Sequence, residues 1–354
     1  MRVFLAGFGL IIILAVGYWL SLIVPLSGAL NTYEPLLVEQ CERLEIAPGT
    51  EDIVVDVEAN IAFVSSADRR AWFNDGGSEV GGVKNGGIYM VDLDDPTSAR
   101  LVSPDSMTDF LPHGIDLWHG DNGEKRLFVV SHPSTGEEIV EIFEVAENAS
   151  LTHLKSISFD EMYSPNDVVA VGPSQFYATN DRRYDVGLMS WVETNFALPL
   201  TSVVYFDGNT GREIENGFAY ANGINISNDG GTVYVSEVVK RRISVLSRDL
   251  QTNALTKTRT IKINAAPDNI DVDDEGRLWI GGHPKPLEFA AHAKDSRKIS
   301  PSHVVKIDPE TDAYEDVFIS LDGEINASSV GAAHNGKLLV GAVFDPHIMV
   351  CPIS

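Results

Sequence analysis

The sequence predicts an all-β protein that folds as a six-bladed β-propeller, preceded by an N-terminal hydrophobic helix. Two patterns predict the propeller. Six polar doublets recur along the chain, and a β-branched residue follows each of them. After every doublet, at a short and fairly constant distance, come a turn signal and a second strand-like run. Six repeats of one supersecondary unit indicate a radial or stacked array.

The N-terminal segment predicts a membrane anchor. Residues 3–24 carry no charge and are long enough to cross a bilayer as a helix. Arg2 precedes this stretch and no Lys or Arg follows before Arg43, which places the rest of the chain outside the cytoplasm. Cleavage as a signal peptide at Ser27 to Ala29 is the alternative. We therefore expect an anchor or uncleaved signal over 1–26, a linker over 27–40 and a propeller over 41–354.

The strand candidates define the blades. The doublets are Glu51-Asp52, His113-Gly114, Asn166-Asp167, Asn222-Gly223, Asp268-Asn269 and Ser328-Ser329. Each repeat also contains a third and sometimes a fourth strand candidate, such as "GIYMVDL" and "SVVYFDG". Four-stranded units that recur every roughly 45 to 65 residues describe a closed six-bladed ring. A solenoid is the alternative, but its stacked coils usually allow less variation in spacing.

The doublets predict a cation in the channel. In a propeller the first strand of each blade lies along the axis, so the residues just before these strands should meet at one rim. Four carboxylates and three amides would converge there: Glu51, Asp52, Asn166, Asp167, Asn222, Asp268 and Asn269. Such a cluster repels itself without a cation, and hard oxygen ligands of this mixed type are those of Ca²⁺. For any single doublet, a capped turn is the simpler interpretation.

The two cysteines and the composition bear on the compartment and the partners. Cys41 precedes the first repeat and Cys351 lies in the last strand, so a disulfide there would close the ring in an oxidising compartment; two unrelated thiols are the alternative. The net charge of −25 argues against nucleic acid and broad anionic lipid surfaces as partners. Phosphate-binding loops and Gly-x-Ser-x-Gly elbows are absent from the sequence. Three Asn-x-Ser triplets, at Asn148, Asn225 and Asn326, give a weak N-glycosylation signal.

Several longer motifs resemble one known family. They are "GTEDIVVD", "LPHGIDLWHG", "SPNDVVAVGPSQFYATND", "FAYANGINISNDGGTVYVSE", "PDNIDVD", "LWIGGHP" and "GKLLVGAVF". In this order, with the two terminal cysteines, they look like the paraoxonase/arylesterase family. The resemblance implies a six-bladed propeller with two calcium ions in its tunnel, a commonly retained N-terminal segment and a disulfide between the chain ends. It also implies hydrolysis of lactones, with promiscuous action on aryl esters and sometimes organophosphates.

The resemblance also assigns roles to residues of this chain. It implies that a catalytic calcium ion is held by Glu51, Asn166, Asn222, Asp268 and Asn269. A deeper, structural ion would be held by Asp52, Asp167 and the backbone carbonyl of Ile115. A histidine dyad is implied for His113 and His132, and a substrate pocket for Tyr220, His283, Ser329 and Val343. At two of these positions, Tyr220 and Ser329, the residue type differs from that in the best-known members of the family. Gly282 stands where those members have a further cysteine. The segment 68–85 occupies the place of a mobile active-site loop and does not match closely.

The predicted chemistry is calcium-assisted attack of water on a small-molecule lactone or ester. Calcium would polarise the carbonyl, and His113, with a pKa that can lie near neutrality, would act as the base with help from His132. A carboxylate, Glu51 or Asp268, is the alternative base. A receptor or adhesion propeller stiffened by calcium is the rival without activity. Gluconolactonase-like and strictosidine-synthase-like propellers are the enzymatic rivals.

Overall fold

The computed structural model describes residues 24–70 and 86–353, and in addition Gly17 and Trp19. Within these residues the chain forms six antiparallel sheets of four strands each. The first strands of neighbouring sheets pack side by side around one axis, and the sixth packs against the first, so the ring is closed. The predicted all-β, six-bladed propeller is confirmed.

The first thirteen strands form three complete blades and the outer strand of the last one. They are β1 (Glu42–Glu45), β2 (Thr50–Asp56), β3 (Ile61–Ser66), β4 (Gly87–Asp92), β5 (Ala99–Leu101), β6 (Pro112–His119), β7 (Lys125–Ser131), β8 (Ile139–Val145), β9 (Leu151–Ile157), β10 (Pro165–Gly172), β11 (Gln175–Asn180), β12 (Thr201–Phe206) and β13 (Gly211–Phe218). Blades 1, 2 and 3 are β2–β5, β6–β9 and β10–β13.

The other eleven strands complete the ring. They are β14 (Ala221–Ile226), β15 (Thr232–Glu237), β16 (Arg242–Arg248), β17 (Leu255–Lys262), β18 (Ala266–Val272), β19 (Leu278–His283), β20 (Ser302–Asp308), β21 (Ala313–Ser320), β22 (Ser328–His334), β23 (Lys337–Ala342) and β24 (His347–Pro352). Blades 4 and 5 are β14–β17 and β18–β21. Blade 6 has the order β22, β23, β24 and β1.

Both ends of the chain close the ring in blade 6. The strand β1 pairs with β24 in antiparallel register, with Leu44 opposite Ile348. Cys41, directly before β1, forms a disulfide with Cys351 in β24. The predicted disulfide is therefore confirmed, and it joins residues 310 positions apart in sequence.

Apolar side chains between the blades hold the ring together. Six of the seven buried clusters in the described residues lie between neighbouring blades, one at each of the six junctions. Between blades 2 and 3, for example, Phe128, Phe176 and Val204 pack together. Each fully buried side chain of this size contributes about 1.5–3 kcal/mol relative to an exposed one. The β-branched residues that mark the sequence repeat belong to these clusters, as Ile53, Val168 and similar residues illustrate.

Within the described residues, two complete α-helices lie between strands. Helix α1 (Gly187–Asn195) connects β11 to β12, and helix α2 (Pro286–Lys294) connects β19 to β20. Each is nine residues long, so neither gives the long amphipathic pattern that would have been visible in the sequence. Because the strands alternate in direction, links from second to third strands emerge beside the starts of the first strands. Both helices thus lie on the face that carries the doublets.

The predicted N-terminal elements are only partly described. Most of the predicted anchor, residues 1–26, lies outside the described residues, and none of the helices among those described is long and apolar enough to cross a membrane. In the predicted linker, Leu36 forms a backbone bridge with Ile319. A short 3₁₀ turn, Val38–Gln40, follows, and Val38 packs into the cluster between blades 5 and 6.

Candidate functional site

Each polar doublet coincides with a β-bulge. In all six blades the pairing of the first and second strands shifts register within or directly beside the doublet. The doublets therefore lie inside the first strands, near their beginnings, rather than just before them as the sequence predicts. A bulge leaves residues outside the hydrogen-bonded ladder and re-aims their side chains. The bulges explain how successive polar residues are accommodated in a buried strand.

Four buried oxygen atoms in these doublets have no hydrogen-bond partner among the described residues. They are Glu51 Oε2, Asn166 Oδ1, Asn222 Oδ1 and Asn269 Oδ1. An unsatisfied buried polar group costs about 1–3 kcal/mol, and more when it is charged. All four atoms belong to the five residues predicted to hold a catalytic calcium ion. Since unpaired carboxylate and amide oxygens are the ligands Ca²⁺ takes, these residues fit the predicted ion.

Three further contacts of this group involve residues of blades 1, 5 and 6. Asn269 Nδ2 donates to Glu51 Oε1 at 2.9 Å, which leaves the Asn269 oxygen unpaired. The fifth predicted ligand, Asp268, has its Oδ2 3.0 Å from His283 Nε2. Ser329 Oγ donates to the backbone oxygen of Glu51 at 2.5 Å. Ser329, predicted to line the pocket, therefore also ties blade 6 to blade 1.

A second layer contains the residues predicted for the structural ion. Asp52 Oδ2 accepts a hydrogen bond from the Ile115 backbone N–H at 2.7 Å, and its Oδ1 accepts one from the Ile53 N–H at 2.9 Å. Asp167 accepts from the backbone N–H groups of Val168 and Ile224, both at 2.7 Å. These carboxylates differ from the unpaired oxygens above because each already accepts two backbone hydrogen bonds.

Two glycines of the doublets are required by close backbone approach. A Cβ on Gly114 would lie 2.3 Å from Asp167 Oδ1, and a Cβ on Gly223 would lie 2.4 Å from the backbone oxygen of Asp268. No side chain fits at either position without moving a predicted ligand residue. The two Gly-containing doublets thus leave space for the acidic doublets beside them.

Burial makes the negative charges of this group unfavourable. It raises the pKa of the Glu51 carboxyl from 4.5 to about 8, against the opposing effect of Arg69, and the neighbouring Asp268 and Asp52 raise it further. Burial likewise raises the pKa of Asp52 from 3.8 to about 7. The pKa of Asp167 lies well above its usual range through burial and the charge of Asp52. Without added positive charge, burial favours the protonated forms of these carboxyls.

One buried cation in the group has no counterpart in the sequence pattern. The Arg69 guanidinium lies 3.8 Å from Glu51 Oε2. It donates to the backbone oxygens of Gly49 at 3.0 Å and Pro112 at 2.6 Å, so it joins the beginnings of blades 1 and 2. Arg69 follows β3 in a connection without repeat signals, which is why the sequence does not reveal it.

The two predicted histidines contact each other beside Glu51. His113 Nδ1 lies 2.9 Å from His132 Nε2, and His113 Nε2 lies 3.6 Å from Glu51 Oε1. On its far side, His132 Nδ1 lies 2.5 Å from Glu138 Oε2, a carboxylate that the sequence does not single out. Burial and then the charge of Arg69 lower the pKa of His113 well below its usual value. Burial and the charge of Arg69 therefore favour the neutral imidazole of His113 over its imidazolium.

Aromatic side chains form a wall next to Asp268. The His283 ring stacks on Phe289 of α2 at 4.0 Å between centroids, and Phe289 stacks on Phe344 at 5.9 Å. Val343, predicted to line the pocket, is buried beside Phe344. The sequence points to His283 and Val343 but misses Phe289, because α2 is not visible as a helical pattern.

The other predicted pocket residue and the variable segment lie on the same face. Tyr220 connects blades 3 and 4 and has a left-handed backbone, with φ of 61°. Most of the segment 68–85 lies outside the described residues. At its beginning, the Arg70 guanidinium lies 4.5 Å above the Phe344 ring and donates to the backbone oxygen of His292 at 2.5 Å. Arg70 thus fixes the beginning of the segment against α2.

A separate ionisable group lies away from the doublets, at the far ends of β2 and β6. Asp56, Glu58 and His119 come close enough together to hold an ion. However, Lys125 Nζ already lies 2.7 Å from Asp56 and 3.2 Å from Glu58, so a cation of the chain itself offsets part of the negative charge of the group. None of these residues belongs to the predicted ligand sets.

Solved structures of other proteins share this fold. The luciferin-regenerating enzyme matches with a TM-score of 0.54 at 15% identity, over 90% of this chain and 94% of that chain. A gluconolactonase of Xanthomonas campestris matches with a TM-score of 0.50 at 14% identity, over 88% of this chain and 97% of that chain. At such low identity these similarities establish the propeller fold and not the activity.

The sequence comparisons identify the family. The family model described as arylesterase matches residues 38–352, which is the whole propeller. Human serum paraoxonase/arylesterase 1 is 34% identical over 335 residues, covering 90% of each chain. These two matches support an esterase-like or lactonase-like hydrolase. The chain therefore belongs to the paraoxonase/arylesterase family.

Proposed function

We propose that the chain is a calcium-dependent hydrolase of lactones, with promiscuous action on aryl esters and on some organophosphates. Family membership supports a hydrolase of this kind. The observation that carries the calcium dependence is the set of four buried oxygens at the bulges that have no hydrogen-bond partner among the described residues, beside the contacting pair of His113 and His132. Ligand oxygens and a neutral imidazole within reach of the same carboxylate are the components of metal-assisted hydrolysis.

The first ion is held by the residues with unpaired oxygens together with Asp268. Glu51 and Asp268 supply negative charge, while Asn166, Asn222 and Asn269 supply neutral amide oxygens. When bound, calcium supplies the positive charge that polarises the ester carbonyl and stabilises the negative charge developing on its oxygen. The Asn269 amide nitrogen, by donating to Glu51, holds both side chains in the orientation that exposes their other oxygens.

A second ion is proposed for Asp52, Asp167 and the carbonyl of Ile115. This assignment depends on the family resemblance and on the raised pKa values of the two carboxyls. Because both carboxylates connect neighbouring first strands through backbone N–H groups, the role we propose here is structural.

His113 is the proposed base. Its neutral ring accepts a proton from water as the water oxygen attacks the carbonyl carbon. The carbon–oxygen bond to the leaving alcohol then breaks, and the proton passes to the alkoxide. His132 contacts the opposite nitrogen of the ring and orients it. Glu51 or Asp268 is the alternative base, but both are proposed calcium ligands, and a coordinated carboxylate is a weak base.

The wall beside Asp268 suggests how the rest of the substrate binds. Phe289 and Val343 provide an apolar surface, and the His283 ring stacks on Phe289 and contacts Asp268, a proposed ligand of the ion. Small lactones and esters, which have one polar group and an apolar remainder, suit such a site. The disulfide and the relatives are consistent with an extracytoplasmic protein, and we propose that residues 1–26 anchor it to a membrane.

A screen of lactones of increasing chain length, with and without calcium, tests this function. Turnover that requires calcium and also extends to a simple aryl ester would support the proposal. Turnover of sugar lactones alone would favour a gluconolactonase-like enzyme. Calcium-loaded, folded protein that hydrolyses none of these compounds would point to a receptor propeller and contradict the proposal.

A further inference from the structure

We propose that Glu138 is a positioning residue that sets the tautomers of both His132 and His113, so that His113 presents an unprotonated Nε2 beside Glu51. The catalytic consequence of this role rests on the proposed hydrolase function. The tautomers themselves do not, and they can be measured without any substrate.

The β7–β8 hairpin brings Glu138 to His132. Ser131 and Ile139 form the last pair of this ladder, so His132 and Glu138 are the next residues on either side. The connection between them is anchored by Ser134, whose backbone N–H and Oγ donate to Asp109 Oδ2 at 2.8 and 2.6 Å. The backbone thus holds the two side chains opposite each other.

The hydrogen-bond directions along this chain of groups follow from the carboxylate. An ionised carboxylate only accepts hydrogen bonds, so the proton of His132 must be on Nδ1, which lies 2.5 Å from Glu138 Oε2. In a neutral ring, Nε2 is then an acceptor, and it receives the Nδ1–H of His113 at 2.9 Å. His113 therefore carries its lone pair on Nε2.

This lone pair is in the right place for the proposed reaction. His113 Nε2 lies 3.6 Å from Glu51 Oε1, next to the unpaired oxygens of the proposed calcium site. A proton from water that arrives at Nε2 makes the ring an imidazolium, whose Nδ1–H still donates to His132. A third group that orients the base in this way is a recurring arrangement in hydrolases.

The exposure of Glu138 limits the size of the effect. Its side chain is 29% exposed, so solvent screens its charge and its main contribution is the direction of the hydrogen bond. Removing an outer group that orients a functional histidine typically lowers activity by about 10- to 100-fold. We expect Glu138→Met to lower kcat within this range and to leave KM nearly unchanged.

The neighbouring Glu137 provides a matched control. It is exposed, and its backbone N–H contacts Thr135 in the same connection. Glu137→Met makes the same chemical change one residue away, without removing the acceptor for His132. Glu138→Gln is the second test variant, because it keeps the side-chain volume while it removes the negative charge.

Nitrogen-15 NMR of histidine-labelled, calcium-loaded protein tests the proposal directly. Chemical shifts distinguish a protonated ring nitrogen from one with a lone pair, and His113→Gln and His132→Gln assign the signals. We expect Nδ1 to be protonated in both rings of the wild type and of Glu137→Met. In Glu138→Met both rings should shift toward the Nε2-protonated tautomer, and in Glu138→Gln they should shift less.

Three outcomes separate this proposal from the proposed function. Unchanged tautomers in folded Glu138→Met and Glu138→Gln would overturn the role of Glu138, whatever the activity. Shifted tautomers with unchanged kcat would overturn its link to catalysis. Wild-type protein that shows the expected tautomers but hydrolyses no lactone would contradict the proposed function and leave the positioning role supported.

Discussion

Asn269 in blade 5 donates a hydrogen bond to Glu51 in blade 1, with 2.9 Å between Nδ2 and Oε1. The two residues are 218 positions apart, and the first strand of blade 6 lies between their blades in the ring. The other oxygens of these two side chains, Asn269 Oδ1 and Glu51 Oε2, have no hydrogen-bond partner among the described residues.

Removal of calcium should destabilise the protein. A ligand that binds only the folded state adds about 2.7 kcal/mol at a free concentration 100 times its Kd. We therefore expect Tm to fall by several degrees across a chelator titration and to recover when calcium is added back. Glu58→Gln, which alters the separate ionisable group, should leave this dependence intact. A Tm that stays constant across the chelator titration would contradict both proposed calcium sites.

The calcium-free protein should lose stability as the pH rises. The pKa of Glu51 is raised from 4.5 to about 8 and that of Asp52 from 3.8 to about 7, mainly by burial. The folded state therefore binds these protons more tightly than the unfolded state, and its advantage disappears as the pH rises from about 4 to about 8. Unfolding free energies measured with a chelator should decrease over this range.

Calcium-loaded protein provides the comparison for the pH prediction. Calcium favours the ionised carboxylates, so the decrease between pH 4 and pH 8 should be absent or reversed when the ion is bound. Equal slopes with and without calcium would show that these carboxyls do not face the ion.

Substitution of His113 should separate the base from the metal site. His113→Gln should lower lactone turnover by about 10²- to 10⁴-fold, the usual range for a general base, while calcium affinity measured by calorimetry changes little. Asp268→Asn should weaken both properties, because it removes a charged ligand.

The control for this prediction is His153→Gln. His153 contacts Glu141 at 2.7 Å on the outer strand of blade 2, away from the doublets. It should leave both turnover and affinity unchanged. Full activity of His113→Gln at neutral pH would transfer the role of base to a carboxylate.

Loss of the disulfide should destabilise the ring. In the chain-entropy model, a bridge across 310 residues contributes about 6 kcal/mol by restricting the unfolded chain. Cys41→Ser and the double variant Cys41→Ser/Cys351→Ser should lose similar unfolding free energy in denaturant titrations, since either one removes the bridge. A full additive loss in the double variant would mean that packing of the thiols, and not the bridge, matters.

The repeated features of this fold could be predicted from the sequence. Six doublets before β-branched residues predict six blades, because the first strand of every blade has polar residues near its beginning and a buried apolar residue directly after them. The bulges could not be predicted in this way. Glu51 and Asp52 look like the residues before a strand, whereas a bulge allows both to lie within it.

The features that the sequence missed occur once and lie in connections. Arg69 and Glu138 follow or precede strands in links of different length, so no repeat marks them. Their partners, Glu51 and His132, are specified by the closed ring or by hairpin register rather than by local pattern. Only the folded structure shows that Arg69 lies beside Glu51 and that Glu138 contacts His132.

The pairing of β1 with β24 sets the order in which the ring can be completed during synthesis. The strand Glu42–Glu45 has no partner until His347–Pro352 has been made, about 300 residues later. At about 5–20 residues per second, translation of that interval takes roughly 15 to 60 s. Throughout this time the N-terminal strand waits unpaired, and blade 6 is the last to form. Because the two paired strands are so far apart in sequence, we expect ring closure and oxidation of the two cysteines to be a slow and late step of folding.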